Sequence, residues 1–347
     1  MPRGSPQRGL EVNMENPTHL VDGKQEYYAT KWGAAYHGDA LELLERVDDD
    51  KIDLIVTSPP FALVRQKRYG HRFDHIGTER YVEWFRPFAK QFHRILSPLG
   101  SLVVHIGGSW DAGQPTKSLY HFELLLSLCK ELQFSLAQDF YWFNPAKFPS
   151  PAEWVTVKRI RVKDSVDPVW WLCKDPKGKT KANNTNVLWN YSESMLRLFK
   201  RAKYNAGLRP SGYDVSPTSF LSQHSGAIPP NLLPISNTES NGSYLRNCRK
   251  FGVEVNPARF PVALPEFFIN FLTNKGDIIL DPFAGSNTTG FAAEKVGRRW
   301  LAFEIYEEYL KGSKFRFFTS IELGLENHEQ QQMQPSDMQQ APVSKTK

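Results

Sequence analysis

Residues 277–290 read Asp277-Ile278-Ile279-Leu280-Asp281-Pro282-Phe283-Ala284-Gly285-Ser286-Asn287-Thr288-Thr289-Gly290, an apolar strand pattern followed by a polar turn. A second stretch of this kind lies far earlier in the chain, Asp53-Leu54-Ile55-Val56-Thr57-Ser58-Pro59-Pro60-Phe61. In open α/β sheets, ligands bind outside the carboxyl ends of the strands. We therefore expect the two strand ends to supply a ligand site and a reaction site side by side.

Around these stretches, strand patterns alternate with helical patterns, which predicts a mostly parallel sheet covered by helices. Residues 1–25 are predicted to be a disordered lead, and the Gln-rich residues 326–347 a disordered tail. The polar residues 175–250 interrupt the alternation and are predicted to be an insertion between two halves, 26–174 and 251–325. The predicted strands are 34–37, 52–57, 101–106, 136–143, 169–173, 278–281 and 300–304, and the predicted helices are 40–47, 81–96, 121–132, 264–273, 288–296 and one that begins at Glu307.

The charge of the chain is concentrated in one segment. The 347 residues are 40% hydrophobic and 13% aromatic, as in a folded globular protein, and carry a net charge of +6. Residues 151–210 hold thirteen Lys or Arg and five Asp or Glu, a net of +8. This excess suits a polyanionic partner, although a run of charges is also typical of a solvated surface.

Cysteine usage and hydropathy predict the compartment. Cys129, Cys173 and Cys248 are far apart and odd in number, and neither a CxxC pair nor a His/Cys cluster predicts a metal site. The chain has no apolar signal core and no run of membrane-spanning length. We expect a soluble cytoplasmic protein without disulfides, a metal or a membrane partner.

The turn after residues 278–281 has the features of an adenosine site. Gly285 would let a ligand approach the backbone closely, and Glu304 ends the next strand 23 residues after Asp281, where an acid can accept hydrogen bonds from ribose hydroxyls. The Gly285–Gly290 spacing is that of a P-loop, but Phe291 and Ala292 stand where Lys and Ser or Thr are needed. The alternative is a helix-capping turn that binds nothing.

The turn at residues 57–61 combines rigidity with open acceptors. Two prolines end strand pairing and stiffen the turn, which holds the Ser58 hydroxyl and the Pro59 carbonyl at the sheet edge. These acceptors suit an amino group, and the ring of Phe61 suits the face of a base lifted out of its stack. Taken alone, the turn is also explained as an ordinary Pro-rich loop.

Together, the early (T)SPP(Y/F) turn and the late DPFxGS(N/G)TT turn resemble the β-group amino-methyltransferases of DNA. The resemblance extends over most of residues 33–320 and includes residues 36–39, 140–145, 226–231 and 256–261. Residues 57–63, with the basic segment 65–69 after them, are most similar to the PvuII-type cytosine-N4 modification methyltransferases.

The resemblance implies a circularly permuted, Rossmann-like sheet of the S-adenosylmethionine-dependent methyltransferases. Residues 26–174 would be the catalytic half, 175–250 the target-recognition insertion and 251–325 the cofactor-binding half. The implied catalytic residues are Ser58, Pro59, Pro60, Phe61 and, in a proton-accepting role, His105. The implied cofactor-binding residues are Asp39, Asp281, Phe283, Gly285, Ser286, Asn287, Thr288, Glu304, Pro257, Ala258, Arg259, Phe260 and Pro261.

Two of these residues have a second interpretation. Asp39, with Glu42 three residues later, also fits a helix N-cap and capping box, and both roles can hold at once. His105 stands where the relatives carry an acidic residue; a His can also take a proton, but a lone His at a strand end is commonly structural.

The expected substrate is double-stranded DNA. Arg65, Lys67 and Arg68 after the Phe61 turn, and Lys158, Arg159, Arg161 and Lys163, are predicted to meet it, with Arg159 and Arg161 on one face if the run is a strand. None of the three cysteines follows a proline, which argues against methylation at carbon 5 through a Pro-Cys nucleophile. Ser58 favours cytosine N4 over adenine N6, where the family more often carries Asp or Asn.

Three functions therefore remain: a cytosine-N4 methyltransferase of a restriction–modification pair, an adenine-N6 methyltransferase, and a catalytically silent DNA-binding protein. A cognate endonuclease would share the DNA site without having to bind this protein. We expect a monomer or a weak dimer.

Overall fold

The computed structural model describes residues 16–62, 77–111, 113–238 and 242–325. The strands are β1 Tyr28–Ala29, β2 Gly33–His37, β3 Ile52–Thr57, β4 Leu96–His105, β5 Ser135–Phe143, β6 Val166–Cys173, β7 Gly207–Leu208, β8 Asp214–Val215, β9 Leu232–Pro234, β10 Ile278–Asp281 and β11 Arg299–Glu304. The α-helices are α1 Ala40–Leu44, α2 Tyr81–Ile95, α3 Tyr120–Lys130, α4 Glu193–Arg201, α5 Ser243–Lys250, α6 Ala263–Leu272, α7 Thr288–Lys295 and α8 Glu307–Ser313. Short 3-10 helices cover Pro17–Leu20, Thr78–Arg80, Asn184–Val187 and Lys314–Arg316, and a π-helix covers Glu153–Val157.

Within the described residues, nine strands form one sheet in the order β1-β2-β11-β10-β3-β4-β6-β5-β9. Strands β2, β11, β10, β3 and β4 are parallel neighbours, and the antiparallel pairs lie toward the two edges. The late strands β10 and β11 lie between the early strands β2 and β3, which is consistent with a permuted order of the two halves. This mixed α/β fold with a large parallel sheet confirms the predicted fold class.

The central strands are apolar on both faces because helices cover both faces. In β3, Leu54 packs into the cluster that contains Phe268 of α6, and Ile55 packs into the cluster that contains Phe85 of α2. Buried parallel strands therefore have continuous apolar runs rather than an alternation, which is why residues 52–57 and 278–281 stand out in the sequence.

Strands β3 and β10 are direct parallel neighbours, with Leu54 opposite Ile279 and Ile55 opposite Leu280. Their carboxyl ends, and so the two turns singled out in the sequence, lie at the same edge of the sheet. The expected pairing of the two turns is therefore present.

The predicted elements are found, with shifts at their ends. Helix α1 ends at Leu44 rather than residue 47, and β4 begins at Leu96, so that residues 97–100 belong to the strand rather than to a separate loop. Residues 175–250 contain α4, α5 and three short strands, and the last of these, β9, pairs with β5 and extends the main sheet.

The predicted disordered lead 1–25 is wrong for residues 16–25. Residues Pro17–Leu20 form a 3-10 helix, and Leu20 and Val21 are buried in the core, so apolar burial offsets the loss of chain entropy there. Residues 1–15 and 326–347 lie outside the described residues.

Candidate active site

A cavity of about 750 Å³ opens at the carboxyl ends of the parallel strands. It is lined by residues from the turn after β3, the turn after β10, the end of β11 and the segment before α6. The predicted site residues on its wall are Asp39, Ser58, Pro59, Pro60, Phe61, His105, Pro257, Ala258, Arg259, Phe260, Phe283, Gly285 and Glu304. The tertiary structure thus brings most of the predicted catalytic and cofactor residues to one cavity.

Asp281 connects the two turns from behind the cavity wall. Its carboxylate accepts a hydrogen bond from the Thr57 hydroxyl at 2.9 Å, one from the Thr289 hydroxyl at 2.6 Å and one from the Phe283 N–H at 3.1 Å. Burial raises the pKa of Asp281 to about 6. Asp281 is only 2% exposed, so in this structure its role is to hold the β3 and β10 ends together.

Gly285 is required by the backbone of its own turn. Its φ is +53°, in the left-handed region, and a Cβ there would overlap Nδ2 of Asn256. Its N–H donates to Glu304 Oε2 at 2.6 Å, and Glu304 Oε1 accepts from the Tyr306 N–H at 2.8 Å. Burial raises the pKa of Glu304 to about 7. The backbone conformation and the Asn256 contact therefore require a glycine at position 285, whether or not a ligand approaches it.

The side chains of Ser286, Asn287 and Thr288 are buried, and among the described residues they are not part of the cavity wall. Arg316 donates to the Ser286 carbonyl at 2.7 Å and to Thr288 Oγ1 at 3.1 Å. Asn287 caps α7 by accepting from the Gly290 N–H at 3.0 Å. These three side chains hold the turn and the start of α7 together, and the expectation that residues 286–288 bind the cofactor stays a prediction.

Asp39 has its predicted N-cap role, and its position on the cavity wall is compatible with the cofactor role, which stays a prediction. It caps α1, accepting from the Leu41 N–H at 2.8 Å and the Glu42 N–H at 3.3 Å, and it also lines the cavity. Arg259 also lines the cavity; its guanidinium donates to the Asn256 carbonyl and lies over the Tyr244 ring, 5.6 Å from its centre. Pro261, next to it, is not among the described lining residues.

The turn after β3 is fixed by contacts of Pro60 and Phe61, the two residues that follow Ser58 and Pro59. The Tyr81 hydroxyl donates to the Pro60 carbonyl at 2.7 Å. The Phe61 ring covers Gly107 so closely that a Cβ there would overlap it, and Phe61 meets the His105 ring edge to face at 5.4 Å. Ser58 and Pro59 themselves line the cavity.

A chain of polar side chains runs from Ser58 into the protein. Ser58 Oγ lies 3.0 Å from Nδ1 of His105, and His105 Nε2 lies 3.9 Å from Oδ2 of Asp167. Lys147 Nζ donates to both oxygens of Asp167 at 2.9 Å. His105 is 7% exposed, and its Nε2 has no hydrogen-bond partner within the described residues.

The charges of the side chains that follow Ser58 in this series decide which ring nitrogen of His105 carries the proton. Burial raises the pKa of the Asp167 carboxyl, but the nearby His105 ring and the charge and hydrogen bonds of Lys147 outweigh burial and lower the pKa to about 2. Asp167 is therefore ionised at neutral pH. A carboxylate on the Nε2 side favours the proton on Nε2, which leaves Nδ1 free to accept the Ser58 proton.

Sequence reasoning missed Asp167, Lys147 and Trp142, all of which line the cavity. Trp142 meets the His105 ring at 5.2 Å and is held by its Nε1–H, which donates to the Ile235 carbonyl at 2.7 Å. Its alternation with buried Phe140 in β5 was a usable signal. Asp167 lies in β6 and Lys147 in the connection that follows β5, 20 residues earlier, so no local pattern pointed to them.

The predicted strand spacing of residues 158–163 is wrong, because this run follows the π-helix Glu153–Val157 as an irregular loop. Lys158 pairs with Glu153 at 3.0 Å, and Arg161 lies 3.6 Å from Asp164 and donates to the Pro115 carbonyl at 2.7 Å.

The other two members of the run differ from each other. Lys163 donates to two backbone carbonyls of residues 145 and 147, whereas the exposed Arg159 has no such side-chain contact within the described residues. Arg65, Lys67 and Arg68 lie outside the described residues.

Two more of the positive charges in residues 151–210 form ion pairs with acidic residues elsewhere in the fold. Lys181 bridges Asp53 at 2.8 Å and Asp277 at 2.9 Å, at the amino ends of β3 and β10, and Lys174 pairs with Asp50 at 2.5 Å. The residue count therefore overstates the positive charge that is free to meet a partner.

Across the described ranges, none of the helices has the length and apolar character needed to span a bilayer. The same residues contain no group of three or more His, Cys, Asp or Glu side chains placed to hold a metal ion.

Comparison with known proteins identifies the family. A family model described as DNA methylase, of the N6/N4 methyltransferases, matches residues 52–315. The type II methyltransferase M.PvuII of Proteus hauseri is 49% identical over 88% of this chain and 89% of its own. The DNA adenine methyltransferase YhdJ of Escherichia coli K12 is 25% identical over 79% of each chain. The solved structure of the PvuII DNA methyltransferase (cytosine-N4-specific) superposes with a TM-score of 0.69 at 44% identity, covering 86% of this chain and 90% of that one. The chain therefore belongs to the N6/N4 DNA methylase family.

Proposed function

We propose that this protein transfers a methyl group from S-adenosylmethionine to the exocyclic N4 of a cytosine flipped out of double-stranded DNA. The observation that carries the proposal is the turn after β3, whose residues Ser58 and Pro59 line the same cavity as Gly285 and Glu304. The 49% identity to M.PvuII, a type II methyltransferase, supports a role as the modification enzyme of a restriction–modification pair.

The residues at one end of the cavity fit the cofactor. Glu304 offers a partly buried carboxylate that still has acceptor capacity after binding two backbone N–H groups, which suits ribose hydroxyls. Residues 257–260 would meet the methionine end, and Asp39 would lie near the adenine. When bound, S-adenosylmethionine supplies an electrophilic methyl group on a sulfonium.

The other end fits an amino group. The lone pair of a cytosine N4 is delocalised into the ring, so this nitrogen is a poor nucleophile. Ser58 Oγ and the Pro59 carbonyl would accept its two N–H groups and localise the lone pair toward the methyl group. Among the described residues, no group donates to the Pro59 carbonyl, so it is available. Phe61 would stack on the base, and positioning with fixed dipoles would supply most of the acceleration.

The chain from Ser58 to Asp167 would remove the proton. As the bond between N4 and the methyl carbon forms and the bond between that carbon and the sulfonium sulfur breaks, N4 would become positively charged and acidic, and the sulfur would leave as a neutral thioether. It would pass a proton to Ser58 Oγ while the Ser58 hydroxyl proton moves to Nδ1 of His105, 3.0 Å away. The imidazolium would be stabilised by the ionised Asp167, 3.9 Å from Nε2. His105 would thus serve where the family's acidic residue serves.

Mass spectrometry of nucleosides from methylated DNA tests the target. N4-methylcytosine is expected as the product. N6-methyladenine would overturn the cytosine assignment and support the adenine alternative, for which YhdJ is a relative. If no labelled methyl group were transferred to any DNA, the remaining alternative would be a catalytically silent DNA-binding protein.

The role of His105 is tested by paired variants. His105→Ala should slow single-turnover methylation and change its pH profile, whereas His105→Asp should retain activity. Asp167→Asn should give a smaller loss with its own change in the pH profile, because it removes the charge that faces Nε2. An unchanged single-turnover rate in His105→Ala would show that His105 only packs against Phe61 and Trp142.

We propose double-stranded DNA as the partner, a cytoplasmic location, and a monomer or weak dimer as the working form. A cognate endonuclease would recognise the same site independently. Arg159 is the best-placed described member of the basic run for phosphate contact because its side chain is exposed and unpaired there.

A further inference from the structure

An exposed phenylalanine stands at the rim of the base-binding end of the cavity. Residues 144–165 connect β5 to β6, and Lys147 and Ser150 from this connection line the cavity. Phe148 lies between these two residues, is not part of the wall, and is 86% exposed. Its ring therefore projects from the edge of the site into solvent.

The backbone around Phe148 is anchored from several sides. The Asn144 N–H donates to the Ser165 carbonyl at 2.9 Å, and the Asp164 N–H donates to the Ser150 carbonyl at 3.2 Å. Lys147 is held by Asp167, and Lys163 Nζ donates to the Lys147 carbonyl at 3.2 Å. These bonds hold the residue before Phe148 and close the loop beneath it.

An exposed ring on an anchored loop is costly in a free protein. A Phe side chain left in water forgoes the free energy that its burial would contribute. Single exposed apolar residues are common, but here Val157, Ile160 and Val162 on the same connection are also exposed, at 73%, 60% and 86%. Arg159 and Lys158 are interleaved with them, which makes the surface both apolar and basic.

A surface with exposed apolar and basic side chains suits a protein that extrudes a base from a DNA duplex. Extruding a base leaves a gap in the stack, and apolar side chains inserted between bases offset the lost stacking. Every base has a π-face, so a Phe ring can stack there without regard to sequence, while cations beside it meet the phosphates. The position next to the cavity places the ring close to where the extruded base would leave the helix.

We infer that Phe148 enters the DNA stack beside the extruded target base and occupies part of the gap. The inference rests on the proposed function, since it requires a base to leave the duplex. It adds a positioning residue that acts on the DNA rather than on the reacting atoms.

Two duplexes separate this role from a general loss of activity. In one, the target cytosine is paired with guanine; in the other, it faces an abasic site, so pairing no longer opposes extrusion. Phe148→Ala should lower the single-turnover methylation rate on the paired duplex roughly ten- to a hundredfold, as expected for one lost stacking contact. On the abasic duplex the rate should be close to that of the wild type.

Two further variants complete the set. Phe148→Trp keeps a flat ring and should retain the rate on the paired duplex. Ile321→Ala is the matched control, because Ile321 is 72% exposed and, within the described residues, is not part of the cavity wall. It should behave as the wild type on both duplexes.

A fluorescent readout makes the test independent of methyl transfer. With 2-aminopurine in place of the target base, the wild type should raise the fluorescence on binding, Phe148→Ala should not, and Phe148→Trp should restore the rise. Equal losses on both duplexes, or no loss on either, would overturn the inference. A change in sedimentation of Phe148→Ala with unchanged base extrusion would assign the ring to self-association instead. Failure of the wild type on every DNA would count against the proposed function.

Discussion

The turns after β10 and β3 end neighbouring strands at one edge of the sheet, yet their polar groups are used in opposite ways. In the turn after β10, Gly285 binds Glu304, Ser286 and Thr288 bind Arg316, and Asp281 is satisfied by two hydroxyls and an N–H. In the turn after β3, the described contact of Ser58 Oγ is His105, and the Pro59 carbonyl is open.

The difference shows two ways to make a turn rigid. A turn that shapes a binding surface can be locked by internal hydrogen bonds, since its own side chains need not react. A turn that acts on a substrate must leave acceptors free, so its rigidity comes from proline and from contacts of the neighbouring residues. Pro59 and Pro60 have fixed φ and no N–H that would need a partner. Each prediction below alters one of the two turns, or a residue that is hydrogen-bonded to a turn or joins the two, and should affect only the property assigned to it.

The largest effect is expected at the locked turn. Gly285→Leu should abolish S-adenosylmethionine binding, because the side chain needs an unfavourable φ and would overlap Asn256. Gly297→Leu is the matched control: its φ is +75°, and nothing lies within 4 Å of a Cβ there. The control should be less stable but should bind the cofactor. Calorimetry that found unchanged affinity in folded Gly285→Leu would remove this turn from the cofactor site.

The open turn should respond in turnover alone. Ser58→Ala should keep cofactor and DNA binding but lose roughly 10²–10³ in rate, as for one hydrogen bond in a preorganised site. Single-turnover kinetics and binding titrations on the same preparation separate the two effects. A near wild-type rate would mean that Ser58 is only a turn residue, and Ser58 would lose its proposed role in the proton path.

A moderate effect is expected from pH at Glu304. Burial raises its pKa to about 7, so the carboxyl is mostly protonated below pH 7 and accepts ribose hydroxyls less well. If the ionised form is the one that binds, affinity for S-adenosylmethionine should rise about tenfold from pH 6 to pH 8.

Calorimetry of wild type and Glu304→Gln checks this dependence. The variant should bind more weakly and show little change between the two pH values. Asp281, with a pKa raised to about 6 by burial, titrates nearby but faces Thr57 and Thr289 rather than the cavity. An equal pH dependence in Glu304→Gln would assign the effect to another group, with Asp281 the first to test.

The smallest effect is expected where the two turns are joined. Thr57→Val removes the donor to Asp281 and should lower the free energy of unfolding by about 1–3 kcal/mol. The loss should be larger at pH 8 than at pH 5, because Asp281 ionises as the pH rises through about 6 and then needs its donors most.

Urea unfolding at the two pH values measures this loss. Ser97→Ala provides the control, since its bond to Asp53 is 3.4 Å long and lies at the opposite ends of the strands. If Thr57→Val cost the same at both pH values, the bond to Asp281 would not be its cause.

The sequence by itself determined the strands, the two turns and the family. Burial of β3 and β10 on both faces requires continuous apolar runs, and the rigid Ser-Pro-Pro turn and the left-handed Gly285 each need particular residue types at particular positions. Such requirements act over a few neighbouring residues, so they are visible in a linear pattern. The N-cap role of Asp39 was predictable for the same reason.

Only the tertiary structure decided which polar groups meet. Thr57 and Asp281 are 224 residues apart, Ser58 and His105 are 47 apart, and Lys147 reaches Asp167 across a strand pair. The sequence also did not show that two charges of the basic run 158–163 are paired with Glu153 and Asp164. A hydrogen bond or ion pair depends on distance in space and on what else competes for the group, and a sequence pattern contains neither quantity.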